Sequence, residues 1–314
     1  QIPINDINVT EPEGMPRDSI SCISWSPNEK NPTFVTSDWD SKIRIYNVNL
    51  EASTLVQKGC FDTISPCLSV NWHQDENTVF AGCADGFVKS IDVKTGKSDV
   101  IGHHEGPVKS AHWLEEANAL LTLSYDKTLR VWDPRQQSKH VAGFKLQHTP
   151  LCSDLMYPYL AIGHNEGRLL ILDLNHLQAY FGAGSPEYIR SPFVNTTPLI
   201  SIKLFHFGIG LGDEYGHVGI ANLFQRGTIY PPSLRLNESL DFRGQTSRKA
   251  DNSISGLYPV NSVGFHPSRG SDFYYIAGGD GKMHFWDMKN KKEIAEFDFK
   301  GTPVTRAEMD PTGK

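Results

Sequence analysis

The stretch DKTLRVWDP, residues 126–134, brings two acids, two bases, a hydroxyl and a tryptophan together within nine residues. Such a mixture suits either a chemical site or a structural element. Counterparts occur elsewhere in the chain: DSKIRIYNV (40–48), DGFVKSIDV (85–93), EGRLLILDL (166–174), YGHVGIANL (215–223) and DGKMHFWDM (280–288). An active site is normally built once, so this repetition indicates that the stretch is structural.

The repeated stretches begin 45, 41, 40, 49 and 65 residues apart. Further apolar stretches of strand length precede them, and Asp–Gly or Asp–Lys pairs at their starts favour tight hairpin turns, where a positive φ is needed. Four short strands in a period of about 40–45 residues are the signature of a propeller blade. The sequence therefore predicts an all-β protein, a seven-bladed WD40 β-propeller whose last blade is incomplete in this chain.

The same repeat predicts where the blades lie. We expect residues 1–314 to form a single domain with blades at about 19–48, 66–93, 107–134, 149–174, 198–223 and 259–288. Residues 302–314 are interpreted as the first strand of a seventh blade, and the N-terminal segment 1–18 as a source of a closing strand. We also expect the natural chain to continue beyond Lys314, because a blade left incomplete exposes sheet edges.

One blade illustrates the predicted structural role of the motif. Asp126 is expected in the turn between two strands, and Trp132 on the strand that follows. His104 precedes both in the stretch GHHEGPV (102–108). A turn aspartate, a histidine and a strand Ser or Thr are expected to share hydrogen bonds beside the tryptophan, since buried polar groups require partners.

The composition and the missing motifs exclude several function classes. A net charge of −6 argues against broad binding to nucleic acid, and no apolar run is long enough to span a membrane. Five cysteines without a CxxC pair indicate reduced thiols in a cytosolic or nuclear protein. The sequence has no Walker A loop, GxSxG elbow or HExxH motif. We therefore predict no enzymatic activity, no cofactor and no metal ligands.

Other stretches are more specific than the general repeat. They are DSISCISWSP (18–27), HEGPVKSAHW (104–113), YPVNSVGFHP (258–267) and AGGDGKMHFWDMKNKK (277–292). In these stretches the chain resembles the mRNA-export and nuclear-pore WD-repeat proteins, with the spindle-checkpoint WD-repeat adaptor as a close relative. The resemblance implies a non-catalytic scaffold that captures a nucleoporin peptide segment and supports mRNA export from the nucleus.

The resemblance also implies a peptide-binding face. The family uses a phenylalanine–basic pair in the loop before blade six, a tryptophan in blade six and basic residues after it. The matching residues here are Phe242, Arg243, Trp286, Lys289, Lys291 and Lys292. A family arginine in blade five is replaced by His217, so a permanent charge becomes a titratable one.

The resemblance further implies a monomeric propeller in a heteromeric complex at the nuclear pore and nuclear envelope, from which the protein shuttles to the cytoplasm. It implies mRNA or ribonucleoprotein as an indirect partner and no contact with a membrane. Two other functions stay open at this point. One is a spindle-checkpoint adaptor that binds checkpoint-kinase peptides. The other is a propeller that binds single-stranded RNA on a basic groove with stacking aromatics. The identity of the bound partner separates nucleoporin capture from the checkpoint role. Binding of labelled RNA tests the RNA-binding role.

Overall fold

A computed structural model describes residues 14–28, 30–49, 54–136, 140–177, 188–190, 197–205, 208–222, 224–225, 228–229, 258–267, 270–287, 289–290 and 292–313. These residues form a ring of antiparallel sheets in which strands pair in chain order. Blade one contains β1 (Ile20–Trp25), β2 (Thr33–Asp38), β3 (Lys42–Asn49) and β4 (Thr54–Asp62). Blade two contains β5 (Cys67–Trp72), β6 (Thr78–Cys83), β7 (Phe87–Asp92) and β8 (Ser98–His103).

The next two blades each include a short 3₁₀ turn. Blade three contains β9 (Val108–Leu114), β10 (Ala119–Ser124), β11 (Thr128–Trp132) and β12 (Ala142–Lys145), with the 3₁₀ turn at Glu115–Ala117. Blade four contains β13 (Pro150–Met156), β14 (Tyr159–His164), β15 (Arg168–Asp173) and β16 (Ile189–Arg190), with the 3₁₀ turn at Leu174–His176.

The last two blades flank a long connection. Blade five contains β17 (Leu199–Phe205), β18 (Gly208–Asp213) and β19 (Val218–Asn222). A separate two-stranded sheet follows, formed by β20 (Phe224–Gln225) and β21 (Thr228–Ile229). Blade six contains β22 (Val260–His266), β23 (Gly270–Gly278), β24 (Lys282–Asp287) and β25 (Lys292–Asp298). The predicted all-β propeller class is confirmed, but the described residues form six blades and not seven.

Local sequence explains the turns that follow the second strand of each blade. The third turn residue has a positive φ in all six described blades: Ser41, Gly86, Lys127, Gly167, Gly216 and Gly281. Four of these are glycine, which adopts this conformation without steric cost. Ser41 and Lys127, at φ 63° and 64°, adopt it despite their Cβ atoms. The prediction that these turns need a positive φ is confirmed.

The hydrophobic core lies between blades. Each of five clusters of buried apolar side chains joins neighbouring blades, from the pair one and two to the pair five and six. Between blades two and three, Trp132 packs with Phe80 and Ile101. A Cβ atom on Gly102 would lie 2.0 Å from Cζ3 of Trp132, so the indole occupies the space above that glycine.

Residues 302–313 join blade six to blade one without forming a strand. The backbone N–H of Val304 donates to the carbonyl of Gly278 at 3.0 Å. Arg306 donates from Nε to the carbonyl of Ser21 at 2.7 Å and from a terminal nitrogen to the carbonyl of Asn261 at 2.9 Å. The prediction of a seventh-blade strand over 302–314 is therefore wrong. This segment, the closing segment, instead bonds to both flanking blades through polar groups.

The closing strand expected from residues 1–18 can be checked only in part, because residues 1–13 lie outside the described residues. Residues 14–18 form no strand, and they contact blade one through the backbone N–H of Arg17, which donates to Asp40. Across the described ranges, no helix is long and apolar enough to cross a membrane.

Candidate functional site: the upper face of the propeller

The motif that opened the sequence analysis forms a closed hydrogen-bond network inside blade three. The His104 ring bonds through Nδ1 to Asp126 at 3.1 Å and to Thr128 at 2.9 Å, and through Nε2 to Thr122 at 2.7 Å. The indole N–H of Trp132 donates to the same Thr122 hydroxyl at 2.7 Å. Burial lowers the pKa of His104 to about 4. The network predicted from the sequence is confirmed, and its members support the blade instead of facing an open cleft.

The two ends of the blades carry different elements. Because the strands are antiparallel, the turn after each second strand and the connection to the next blade lie at the same end, here called the upper face. The remaining turns form the lower face. Six exposed large apolar side chains lie in upper-face turns and connections: Trp39, Ile64, Tyr125, Tyr215, Tyr258 and Phe299. Exposed aromatic side chains gathered on one face favour a protein-binding surface.

A cavity of about 270 Å³ opens at the upper end of the central channel. Trp39 and Tyr125 lie at its rim, with exposed fractions of 47% and 38%. Its walls include Ile20 and Leu68. Lys109 also lines the cavity, so the pocket combines aromatic, aliphatic and cationic groups.

Lys109 has an unusual electrostatic environment. Its side-chain ammonium forms no hydrogen bond or ion pair with any residue in the described part of the chain. Burial, together with the nearby guanidinium of Arg306, lowers the pKa of Lys109 to about 8. The side chain keeps some contact with water because it lines the channel, yet protein surrounds it. Among the described residues, neither of these two adjacent cations has a carboxylate partner at the cavity, an arrangement that favours an anionic ligand.

Deeper in the channel the charges are balanced. The Lys203 ammonium lies 3.3 Å from Asp154 Oδ1 and 3.6 Å from Glu308 Oε1, and the attraction of Asp154 raises the pKa of Lys203. His112 bonds to the Ser153 hydroxyl at 2.8 Å, and burial lowers its pKa to about 4. Within the described part of the chain, the channel cations that lack a carboxylate partner are therefore those at the upper mouth.

Comparison with known proteins shows what the chain is similar to. The WD domain, G-beta repeat model matches residues 11–47, 57–92 and 96–133. The chain is 29% identical over 311 residues to the Poly(A)+ RNA export protein of Schizosaccharomyces pombe, covering 98% of this chain and 82% of the relative. It is 29% identical over 321 residues to Protein Rae1 of Drosophila melanogaster, covering 99% and 86%. The mRNA export factor of Danio rerio is 27% identical over 310 residues, covering 96% and 79%.

The chain contains WD repeats and is similar, over nearly its whole length, to proteins named as RNA-export factors. The family resemblance found in the sequence is thereby confirmed, and it extends over nearly the whole chain. The printed names of the matches describe RNA export and WD repeats. Of the seven residues that the resemblance implies for peptide binding, four lie within the described part of the chain.

Three of the predicted binding residues, Phe242, Arg243 and Lys291, lie outside the described residues. Trp286 lies on β24 and packs against the apolar cluster between blades five and six. Lys289 is exposed in the turn between β24 and β25, and Lys292 is exposed at the start of β25. These two lysines lie at the lower end of blade six.

His217 lies at the opposite end, in the upper-face turn of blade five. Its Nδ1 atom is 2.7 Å from Oδ2 of Asp213, a carboxylate that is fully buried and also accepts a hydrogen bond from Thr197 at 2.6 Å. The structure therefore holds His217 on an internal carboxylate and does not bring it beside Lys289 and Lys292. Its contact with a peptide stays a prediction.

The cations at the channel mouth were not singled out from the sequence, although one signal was available. In the other five blades, the innermost-strand position that Lys109 occupies in β9 is held by Ser21, Leu68, Leu151, Ile200 and Asn261. A charged residue in a column of uncharged ones departs from the repeat, and such a departure can mark the blade that differs in function. Arg306 gives no comparable signal because the closing segment is not a blade.

Proposed function

We propose that this chain is a non-catalytic scaffold that captures an acidic nucleoporin segment across its upper face and supports mRNA export at the nuclear pore. The relatives named as RNA-export proteins support the process. The upper face supports the mode of action, because it presents exposed aromatic side chains around a cationic cavity.

The channel mouth is the observation that carries this proposal. A glutamate or aspartate of the bound segment pairs with Lys109 and Arg306, and its apolar neighbours pack on Trp39 and Tyr125. Charge-assisted hydrogen bonds would orient the segment, and the aromatic side chains would act as anchors. The chain as a whole is acidic, so this patch selects a local negative charge and not a polyanion.

Calorimetry tests the proposal with two synthetic peptides, one a nucleoporin segment and the other a checkpoint-kinase segment. The nucleoporin segment is expected to bind at a 1:1 ratio and more tightly. Trp39→Ala and Lys109→Met are expected to weaken that binding by about tenfold or more. Tyr157→Ala is the matched control, since Tyr157 is 43% exposed but lies in a lower-face turn.

The outcomes separate the alternatives. Tighter binding of the kinase segment would assign the chain to the spindle-checkpoint branch. Unchanged affinity in the Trp39 and Lys109 variants would reject the upper mouth, and Trp286→Ala and Phe242→Ala would then test the sites implied by the family resemblance. Absence of binding to either peptide would reject peptide capture altogether.

Single-stranded RNA is the second candidate ligand, because exposed aromatic side chains beside cations can also stack bases. A labelled oligonucleotide whose binding weakens steeply with salt and is lost in Trp39→Ala would favour RNA over peptide.

A further inference from the structure

The outer strands of blade six bring a histidine and two glutamates together, a group that no spacing motif signals. His284 lies on β24, and Glu293 and Glu296 lie on β25. Nδ1 of His284 is 2.7 Å from Oε1 of Glu293 and 3.5 Å from Oε2 of Glu296. One ligand atom from each residue lies within 4.8 Å of the others. We propose that these three side chains form a binding site for a divalent metal ion of the zinc class.

A β-bulge puts both glutamates on the same face. Residues three apart on a regular strand point to opposite sides of the sheet. Here the register shifts between Phe285 and Trp286, so that Glu296 pairs with His284 and Glu293 pairs with Trp286. An extra residue in β25 therefore aligns the two carboxylates with the histidine, which is the re-aiming that bulges provide next to functional sites.

Similar bulges occur in blades one and two, but with different side chains. In blade one the places of the two glutamates are taken by Gln57 and Cys60, opposite Tyr46 and Arg44. A bulge between the third and fourth strands is thus shared by blades one, two and six. Among these three blades, the His–Glu–Glu set occurs in blade six alone.

The surroundings hold the ligand atoms in place. The side chain of His284 is 10% exposed, and its Nε2 lies 3.4 Å from Oδ2 of Asp280, which is 3% exposed. A carboxylate on the second ring nitrogen fixes the orientation of metal-binding histidines. The Lys282 ammonium lies 2.5 Å from Oε1 of Glu296, which leaves Oε2 directed toward the histidine.

Charge and ligand type select the metal. Three carboxylates and one lysine leave two negative charges around the imidazole, which binds a metal in its neutral form, and a divalent cation balances them. One nitrogen and two oxygen ligands with an open position for water suit Zn²⁺, whereas Ca²⁺ and Mg²⁺ prefer oxygen alone.

The distances allow this coordination after a small movement. Tetrahedral Zn²⁺ with bonds of about 2.0–2.1 Å places its ligand atoms about 3.4 Å apart. The 3.5 Å between His284 and Glu296 already fits. The 2.7 Å between His284 and Glu293 has to open, and Glu293 can rotate because its side chain is 36% exposed.

Isothermal titration of the chelator-treated full chain with ZnCl₂ tests the site. The wild type is expected to bind one equivalent, and His284→Gln and Glu293→Gln are each expected to weaken binding by at least about tenfold. The matched control is His176→Gln. Nδ1 of His176 also lies 3.1 Å from a carboxylate oxygen, Oδ2 of Asp173, but the His176 side chain is 73% exposed. Among the described residues, no second acid joins this pair in a metal-binding group.

A spectroscopic measurement does not depend on the fold of the histidine variant. Co²⁺ added to the wild type is expected to give the visible bands of a four-coordinate site, and Glu293→Gln is expected to remove them while circular dichroism stays unchanged. The proposal is overturned if the wild type binds no zinc, or if both variants bind it as the wild type does. Either result would leave His284 as the centre of an ionic network only.

Discussion

Replacing Lys109 by methionine is expected to stabilise the free protein. The pKa of Lys109 falls to about 8 because burial and the neighbouring Arg306 disfavour its charge. An ordinary lysine has a pKa of about 10.4, and each unit of difference corresponds to about 1.4 kcal/mol, so the charged side chain costs about 3 kcal/mol at neutral pH. Water in the channel screens part of this, and we expect Lys109→Met to raise the free energy of unfolding by about 1–3 kcal/mol.

The pH dependence distinguishes a charge effect from better packing. Between about pH 8 and pH 10 the unfolded chain keeps the lysine proton and the folded chain releases it, so wild-type stability gains from this group as the pH rises. The variant lacks that gain. The stability difference between variant and wild type should therefore be largest near pH 7 and should shrink above about pH 8.

Urea unfolding of both proteins at about pH 7 and about pH 9.5 measures the difference directly. Lys127→Met serves as the control, because Lys127 is exposed in an upper-face turn. A variant that is less stable than the wild type at pH 7 would refute the reasoning. So would a stabilisation that is the same at both pH values.

Three further changes test the packing of the blades by urea unfolding. Gly102→Ala should lower the free energy of unfolding by about 1–3 kcal/mol, because its Cβ would overlap the Trp132 ring; a change below about 0.5 kcal/mol would contradict that close approach. Thr122→Val should cost about 2–4 kcal/mol, because His104 and Trp132 both lose their shared hydroxyl partner; full stability would mean that the network is dispensable. Lys127→Gly should stabilise the protein by up to about 1 kcal/mol, since its φ of 64° is unfavourable for a residue with a Cβ; a loss of stability would show that the side chain contributes more than the strain costs.

Much of the fold follows from local sequence. Each turn residue with positive φ is adjacent in sequence to the apolar strands that it joins, so the repeat reveals the first three strands of a blade together. The predicted blade ranges end before the fourth strand. In β4 and β25 every second residue is exposed, and these outermost strands carry too few buried apolar residues to stand out.

The candidate site depends on contacts that no local pattern encodes. Lys109 and Arg306 are far apart in sequence and meet only because the ring closes. His284, Glu293 and Glu296 meet only because β25 contains a bulge, and an insertion of one residue in a pairing leaves no mark in the sequence itself. The strand predicted over the closing segment was also a misreading of local pattern. The apolar residues of this segment are spaced like those of the innermost strands, whose place it takes.

The closing segment also determines where the molecule comes apart under load. Five junctions between neighbouring blades are filled by buried apolar clusters, whereas in the described residues the junction between blades six and one depends on the polar contacts of residues 302–313. In an array of nearest-neighbour units, losing one junction turns a circle into a line with two free ends. Under a pulling force the described blades would therefore separate first at this junction and then one after another, so that their unfolding has a fixed starting point.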